Sequence, residues 1–304
     1  MFFKPRCEPE ELRIMRHLHA RMNLNEKEVN NFLTMEKGYD GEKKFDKLLE
    51  GISDDCIILN DLLLEQSNSI FQIDSLLIYD ETIHIINIKN YESDYYIDSE
   101  KWFRVSNKKE ISNPFFQLNR SESLMRRLLK DIGYNVQIKA YIIFINPDFV
   151  LYQAPLNLPI IFSSQLNRFL NQFKTRIAVQ KEKYFVLAEK ITSLHIKNSP
   201  YMNLPEYSYE QLIKGITCQT CYTFISEVSK DKIACNECGF QEDFQSAIIR
   251  SVEEYRLLFP LRKITTEDIW EWCKVIDSRK TIRRILKRNF NLIGYGKSSH
   301  YIDY

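Results

Sequence analysis

The stretch that most constrains this chain is residues 70–91, IFQIDSLLIYDETIHIINIKNY. Two runs rich in isoleucine and leucine flank the polar Asp80-Glu81-Thr82 turn, so the stretch predicts a β-hairpin. Side chains two apart on a strand share a face. Ile83, Ile85, Asn87 and Lys89 should therefore point one way, and His84, Ile86 and Ile88 the other. Asp74 lies inside the first run. An acid on one strand facing a polar-x-Lys pair on the next is unusual in a core hairpin, because buried charges need partners. It is the layout of a site that holds a divalent cation and a phosphate.

The stretch resembles the nuclease-related domain (NERD), a branch of the PD-(D/E)xK nuclease superfamily. Gln72-Ile73-Asp74 matches that family's Q-I-D, and Asn87-Ile88-Lys89-Asn90-Tyr91 sits where it has E-x-K-N-Y. Gly38-Tyr39-Asp40-Gly41-Glu42 resembles the glycine-rich entry to its first helix, with the acidic residue. Asn113-Pro114-Phe115-Phe116-Gln117 resembles the N-P-x-x-Q that opens its next helix. The resemblance implies metal-dependent phosphodiester hydrolysis. Asp74, the residue at position 87 and the carbonyl of Ile88 would hold Mg²⁺ or Mn²⁺. Lys89 would orient water or neutralise developing charge, Glu42 would be a further ligand or supporting acid, and Gln117 would position phosphate or water. The family's Glu is Asn87 here. An amide oxygen can coordinate a hard cation, but it brings no charge and cannot act as a base. The rival expectation is therefore a nuclease fold that binds DNA, or regulates, without hydrolysis.

At 304 residues there is room for two or three domains. The net charge is +1, so a nucleic-acid contact must come from a local patch. The opening MFFKPRCEPEE lacks the apolar core of a signal peptide, and the clean apolar run Ala140–Ile145 is too short to span a bilayer. No membrane association is expected. Of seven cysteines, Cys7, Cys56 and Cys273 stand alone and four form paired C-x-x-C units. That usage suits a reducing cytoplasm and a metal.

Along the chain, residues 1–36 read as a helical N-terminal arm on a nuclease-like core. Leu12, Met15, Leu18 and Met22 form a helical stripe, and Asn25 is placed to cap a second helix. Gly38 and Gly41 should break the pattern, so a new helix is expected with Glu42 in its first turn, where any helix favours a carboxylate. Strands are expected near Cys56–Leu59, at Tyr95–Ile97, Trp102–Val105, 136–145 and 160–162. Asn113 and Pro114 should open a helix with Phe116, Leu118, Leu124, Leu128 and Leu129 apolar and Arg120, Arg126, Arg127 and Lys130 on its outer side. A short helix follows at 164–172. Residues 37–172 are thus expected as an α/β, PD-(D/E)xK-like mixed sheet flanked by helices. The charged KTRIAVQKEK run opens a helix and linker over 173–212.

Cys218 and Cys221 are separated from Cys235 and Cys238 by thirteen residues. Each C-x-x-C turn brings two thiolates to one ion, and two turns complete a tetrahedron. A redox C-x-x-C would want a βαβ unit beside it, and none is near. Residues 213–242 are therefore expected as a zinc ribbon, structural because four protein ligands leave no open position. In residues 243–304, one helix spans 243–259. A second, capped by Thr265 or Thr266, runs to Val275 with Ile269, Trp270 and Cys273 inward. After a turn at Asp277-Ser278, a third helix, Lys280–Phe290, carries Ile282, Ile285 and Leu286 on one side. Arg279, Lys280, Arg283, Arg284, Lys287 and Arg288 lie on the other, and a hairpin follows. The order looks like a small winged helix-turn-helix that meets DNA through its basic helix. The plainer alternative is a capping domain with a solvated basic face. A metal-regulated transcription factor would fit this half but leaves Asp74 and Lys89 unexplained.

Overall fold

The computed structural model describes residues 1–174, 181–197, 199–226, 232–274 and 278–303. The first half of the chain runs β1 (Phe2–Lys4), α1 (Glu10–Arg21), α2 (Glu26–Leu49), β2 (Ile57–Gln66), β3 (Ser69–Tyr79), β4 (Thr82–Lys89), β5 (Ser93–Asp98), β6 (Lys101–Arg104) and β7 (Glu110–Ile111), then α3 (Pro114–Asp131), β8 (Gln137–Phe144) and β9 (Phe149–Tyr152). The second half runs β10 (Ile160–Phe162), α4 (Leu166–Asn171), α5 (Lys181–Ser193), β11 (Lys232–Ala234), β12 (Gln241–Asp243), α6 (Phe244–Leu258), α7 (Thr266–Cys273), α8 (Arg279–Asn289), β13 (Asn291–Ile293) and β14 (His300–Ile302). Part of the KTRIAVQKEK run, Val275 and Asp277 lie outside the described residues. The chain divides into two units. One holds Met1–Glu8 and Thr34–Tyr201, the other Pro9–Leu33 and Met202–Tyr304.

The first unit is built on a mixed sheet of strand order β1-β2-β3-β4-β8-β10. β2, β3 and β4 are antiparallel neighbours, while β4–β8, β8–β10 and β1–β2 are parallel. The expected hairpin is β3–β4. Its turn is two residues, Asp80 and Glu81, both at positive φ (45° and 59°), which matches the twist of the flanking strands. Thr82 already pairs with Tyr79, so it belongs to the strand. β4 is buried on both sides, which is why it reads as a near-continuous apolar run. Ile83 and Ile85 enter one core with Leu118, Met125 and Leu128 of α3, Leu187 and Ile191 of α5, and Tyr95 and Trp102 of the second sheet, β7-β6-β5-β9. Ile86 and Ile88 enter the other with Phe45 and Leu49 of α2 and Phe169 of α4. The alternation expected of residues 83–89 therefore holds. Phe116, expected on the apolar side of α3, is 72% exposed instead.

Two expectations for the N-terminal third need correction. α2 does not break at Gly38 and Gly41: it runs unbroken from Glu26 to Leu49, so Glu42 sits deep in the helix rather than in a first turn. Glycine costs roughly 1 kcal/mol in a helix interior, and packing overrides that cost here. A Cβ on Gly41 would lie 2.6 Å from Asn90 Cβ and 3.2 Å from Ile145 Cγ2, so glycine lets α2 approach the end of β4. The first thirty-odd residues are not a single arm either. β1 is an edge strand of the main sheet, whereas residues 9–33 group with the C-terminal unit. Asn25 does cap α2: its Oδ1 accepts from Glu28 N–H (3.0 Å) and Glu28 Oε2 accepts from Asn25 N–H (2.8 Å), a reciprocal capping box.

In the second unit, α1 buries Leu12, Ile14, Met15, Leu18 and Arg21. The Arg21 side chain is fully enclosed and grips Glu254 of α6 through Nε (2.7 Å) and Nη2 (2.8 Å). It also donates to the carbonyls of Ile213 (2.6 Å) and Gly215 (2.9 Å) and lies 4.1 Å from the Trp272 ring centroid. His17 Nδ1 meets the same carboxylate at 2.8 Å. Burial alone would raise Glu254; hydrogen bonds from His17 and Arg21 outweigh it and bring the carboxyl to about 2. α7 is capped by Thr265, whose hydroxyl accepts from Asp268 N–H (3.1 Å). Its buried residues are Ile269, Trp272 and Cys273. Trp270, expected inward, is instead half-buried beneath Arg279 at 4.2 Å. α8 buries Ile282, Ile285 and Leu286, and β13–β14 form the expected terminal hairpin.

Candidate functional site

β3 and β4 pair regularly from the turn to Ser75↔Ile86. Beyond that point the Asp74 side chain takes over the ladder: its Oδ2 accepts from Ile88 N–H at 2.7 Å. Asp74 is 6% exposed and Asn87 4%. The Asn87 Oδ1 is buried with no hydrogen-bond partner in the protein. Such an atom costs about 1–3 kcal/mol if nothing meets it. Lys89 follows two residues later and its Nζ donates to Gln117 Oε1 at 2.8 Å. Asn113 places Gln117 by capping α3, its Oδ1 accepting from Phe115 N–H at 2.9 Å. Four residues expected at the site (Asp74, Asn87, Lys89 and Gln117) thus converge where β3, β4 and α3 meet.

Glu42 reaches the same place from α2 through a residue that the sequence did not signal. The Arg6 side chain, 3% exposed, donates from Nη1 to Glu42 Oε2 (2.8 Å). Its Nε and Nη2 bind the two oxygens of Asp46 (2.9 and 3.2 Å). Nη2 also donates to the Asp74 carbonyl (2.9 Å) and Ser75 Oγ (3.1 Å). Asp46 accepts once more, from Asn60 Nδ2 at 2.9 Å. Lys4 Nζ donates to the carbonyls of Asn60 (2.8 Å) and Asp61 (2.7 Å), holding β2 where Asp61 takes a positive φ of 52°. Only Asp46 had a local signal: four residues after Glu42 on a helix, it shares its face.

The electrostatics follow from this crowding. Burial pushes Glu42 up to about 8, the Asp74 charge adds to the shift, and Arg6 opposes it. Burial also raises Asp74, against Lys89, the Ile88 N–H and Arg6, which favour its charged form. These residues could hold a divalent cation. Asn87 Oδ1 is an orphaned hard donor, and Asp74 and Glu42 each keep one carboxylate oxygen not taken by the bonds above. His84, on the opposite face of β4, lies between Tyr141 and Phe173 and is pushed down to about 4 by burial; it is a neutral core residue.

Residues 37–145 match the family model of the nuclease-related domain. This stretch is similar to a nuclease-related domain. No curated protein and no solved structure matches the chain. The match contains Glu42, Asp74, Asn87, Lys89 and Gln117; Arg6 lies outside it.

A second centre lies in the other unit. The sulfurs of Cys218, Cys221, Cys235 and Cys238 all lie within 4.8 Å of one another. Cys218–Cys238 are 3.6 Å apart and Cys221–Cys235 3.5 Å. A disulfide requires about 2.05 Å, whereas four sulfurs at about 2.3 Å from one tetrahedral ion are separated by roughly 3.8 Å. The cluster could hold a metal such as zinc. The two knuckles repeat one pattern: Cys218 N–H donates to Thr223 O (2.8 Å) and Cys235 N–H to Phe240 O (2.9 Å). Gly239 completes the second at φ +73°, a conformation that favours glycine. The Thr223 hydroxyl lies 3.3 Å from Cys235 Sγ and 3.0 Å from Cys221 Sγ, bridging the two knuckles.

On α8, Lys280, Arg283, Arg284, Lys287 and Arg288 are exposed opposite the buried Ile282, Ile285 and Leu286. Arg279 is committed elsewhere, to Glu267 at 2.9 Å and to the Trp270 ring. No helix among the described residues is long and apolar enough to cross a membrane.

Proposed function

We propose that residues 37–172 form a divalent-cation-dependent phosphodiesterase centre that acts on DNA. The reading extends to a structural zinc at residues 213–242, a winged-helix-like DNA-binding segment at 243–304, and a cytoplasmic setting. The observation that carries it is the buried, unpartnered Asn87 Oδ1 on the strand whose Ile88 N–H donates to Asp74 and whose end is Lys89. Asp74, Asn87 and Glu42 would hold Mg²⁺ or Mn²⁺, which supplies Lewis acidity and a more acidic water when bound. Asp74 keeps its ladder bond to Ile88, so its free oxygen is fixed before any ion arrives. Lys89 carries the positive charge that meets a developing oxyanion, and Gln117 holds its Nζ in place. The basic face of α8 supports phosphate contact by the second unit, and the thiolate cluster supports a reducing compartment.

The test is hydrolysis of DNA by the full chain with Mg²⁺ or Mn²⁺. Asp74→Ala and Lys89→Ala should each abolish it; wild-type rates in Asp74→Ala would refute the assignment. Position 87 favours the second reading, a non-hydrolysing DNA-binding or regulatory module, because an amide there can neither neutralise a second charge nor take a proton. DNA binding without turnover in either metal would select that reading.

A further inference from the structure

We infer that Arg6 is the resident second cation of the Asp74 centre, so that the site takes one divalent ion rather than two. The inference rests on the reading of that centre as a cation site. It concerns a residue outside the matched domain, delivered by the segment that follows β1.

Two-metal phosphodiesterase centres hold their ions about 3.5–4 Å apart, and a carboxylate with both oxygens available is the natural bridge. Arg6 removes that possibility. Both Asp46 oxygens are bound to its guanidinium, and one of them also accepts from Asn60. Glu42 has one oxygen on Arg6, and Asp74 has one on the Ile88 N–H. What remains beside Asp61, whose Oδ1 accepts from Gln72 Nε2 at 3.3 Å, is one oxygen each from Glu42, Asp74 and Asn87, enough for one ion completed by water and substrate.

The charges agree. Glu42, Asp46, Asp61 and Asp74 are set against Lys4, Arg6 and Lys89 within one electrostatically linked cluster. Four carboxylates and three side-chain cations leave one net negative charge when all are ionised. One divalent ion turns that into a single positive charge; a second would leave three, in a buried site. Arginine suits the post better than lysine, because its planar fork engages both Asp46 oxygens and still reaches Glu42, Ser75 and the Asp74 carbonyl. With its side chain 3% exposed, Arg6 does not reach substrate. It is a positioning residue that holds Glu42 and the Asp74 main chain while supplying positive charge.

The experiment is Mn²⁺ titration of the full, zinc-loaded chain by calorimetry, with free Mn²⁺ followed by electron paramagnetic resonance and no nucleic acid present. Wild type should bind one Mn²⁺ per chain, lost in Asp74→Asn. Arg6→Gln frees Glu42 and Asp46; it should bind a second ion, or bind one roughly tenfold or more tightly, as expected when a like charge a few ångströms away is removed. Arg6→Lys keeps the charge and should retain one ion at near wild-type affinity, which preserves the test if Arg6→Gln does not fold. Two Asp74-dependent ions in wild type would overturn the inference, as would a folded Arg6→Gln chain with unchanged stoichiometry and affinity. Those results leave the cation-site reading intact, whereas a wild-type chain that binds no Mn²⁺ overturns both.

Discussion

The two glycines of α2 should respond in opposite directions to the same substitution. A Cβ at Gly38 meets nothing within 4 Å, so Gly38→Ala should gain the helix-propensity difference, about 1 kcal/mol. Gly41→Ala gains the same term but drives its Cβ to 2.6 Å from Asn90 Cβ and 3.1 Å from Asn90 Cγ. Those atoms are the root of a 9% exposed side chain whose Nδ2 is tied to the Lys37 carbonyl at 2.7 Å, so they cannot swing aside. Overpacking of this kind costs about 1–3 kcal/mol. The propensity term cancels between the two variants, so their difference reads the packing cost alone. At about 2–4 °C per kcal/mol for a domain of this size, Gly41→Ala should melt roughly 2–12 °C below Gly38→Ala. Because α2 must then back away from β4, Glu42 moves too. Mn²⁺ affinity should fall in Gly41→Ala and stay at the wild-type value in Gly38→Ala. Parallel melting gains in both variants would refute the close approach and the account of Glu42 that depends on it.

Asn87→Glu should tighten Mn²⁺ roughly tenfold or more by adding the missing charge, and calorimetry giving equal affinities would remove position 87 from the metal shell. The purified chain should contain one zinc held by Cys218, Cys221, Cys235 and Cys238; elemental analysis without zinc, with four freely titrating thiols, would refute this. Replacing Arg283, Arg284 and Lys287 by Ala in the full chain should flatten the slope of log affinity against log salt by roughly two to three units, at about 0.9 per phosphate. An unchanged slope would move the DNA contact to the outer side of α3, where Arg127 and Lys130 are exposed. Glu254 lies at about 2 in the folded chain, below its unfolded value of about 4.3. It therefore stabilises above that unfolded value, and the contribution is lost as pH falls from about 4.3 towards 2. Denaturation of Glu254→Gln should show a shallower acid limb than wild type; superimposable limbs would refute the buried ion pair.

The hairpin and its polar end were legible because a period of two and a turn need only local information. The same holds for the cysteine pairs, whose spacing carries the geometry. The buried face of α7 follows the helical repeat: Ile269, Trp272 and Cys273 are the i, i+3, i+4 set, and Trp270 falls outside it. Other features had no local trace. Arg6 meets partners 36 to 69 positions away, and Arg21 meets Glu254 across 233. The continuity of α2 was hidden for a related reason. Glycine reads as a breaker on propensity, and what decides Gly41 is its distance to Asn90, which lies three strands further along the chain.

The alternation of the chain between its units has a practical meaning for anyone who cuts it. A fragment starting at Met202 would carry α6, α7 and α8 but leave behind α1, and with it Arg21 and His17. Glu254 would then face its enclosed site with no cation, a loss of about 3–5 kcal/mol by comparison with other severed buried pairs. A fragment ending at Tyr201 would carry the apolar stripe of α1 with nothing to cover it. Neither half is a severable module, and nicking the chain at residue 201 should leave two pieces that each still need a segment held by the other. In recombination the smallest exchangeable part is a unit with both of its segments. A swap of the C-terminal unit succeeds only if residues 9–33 travel with it.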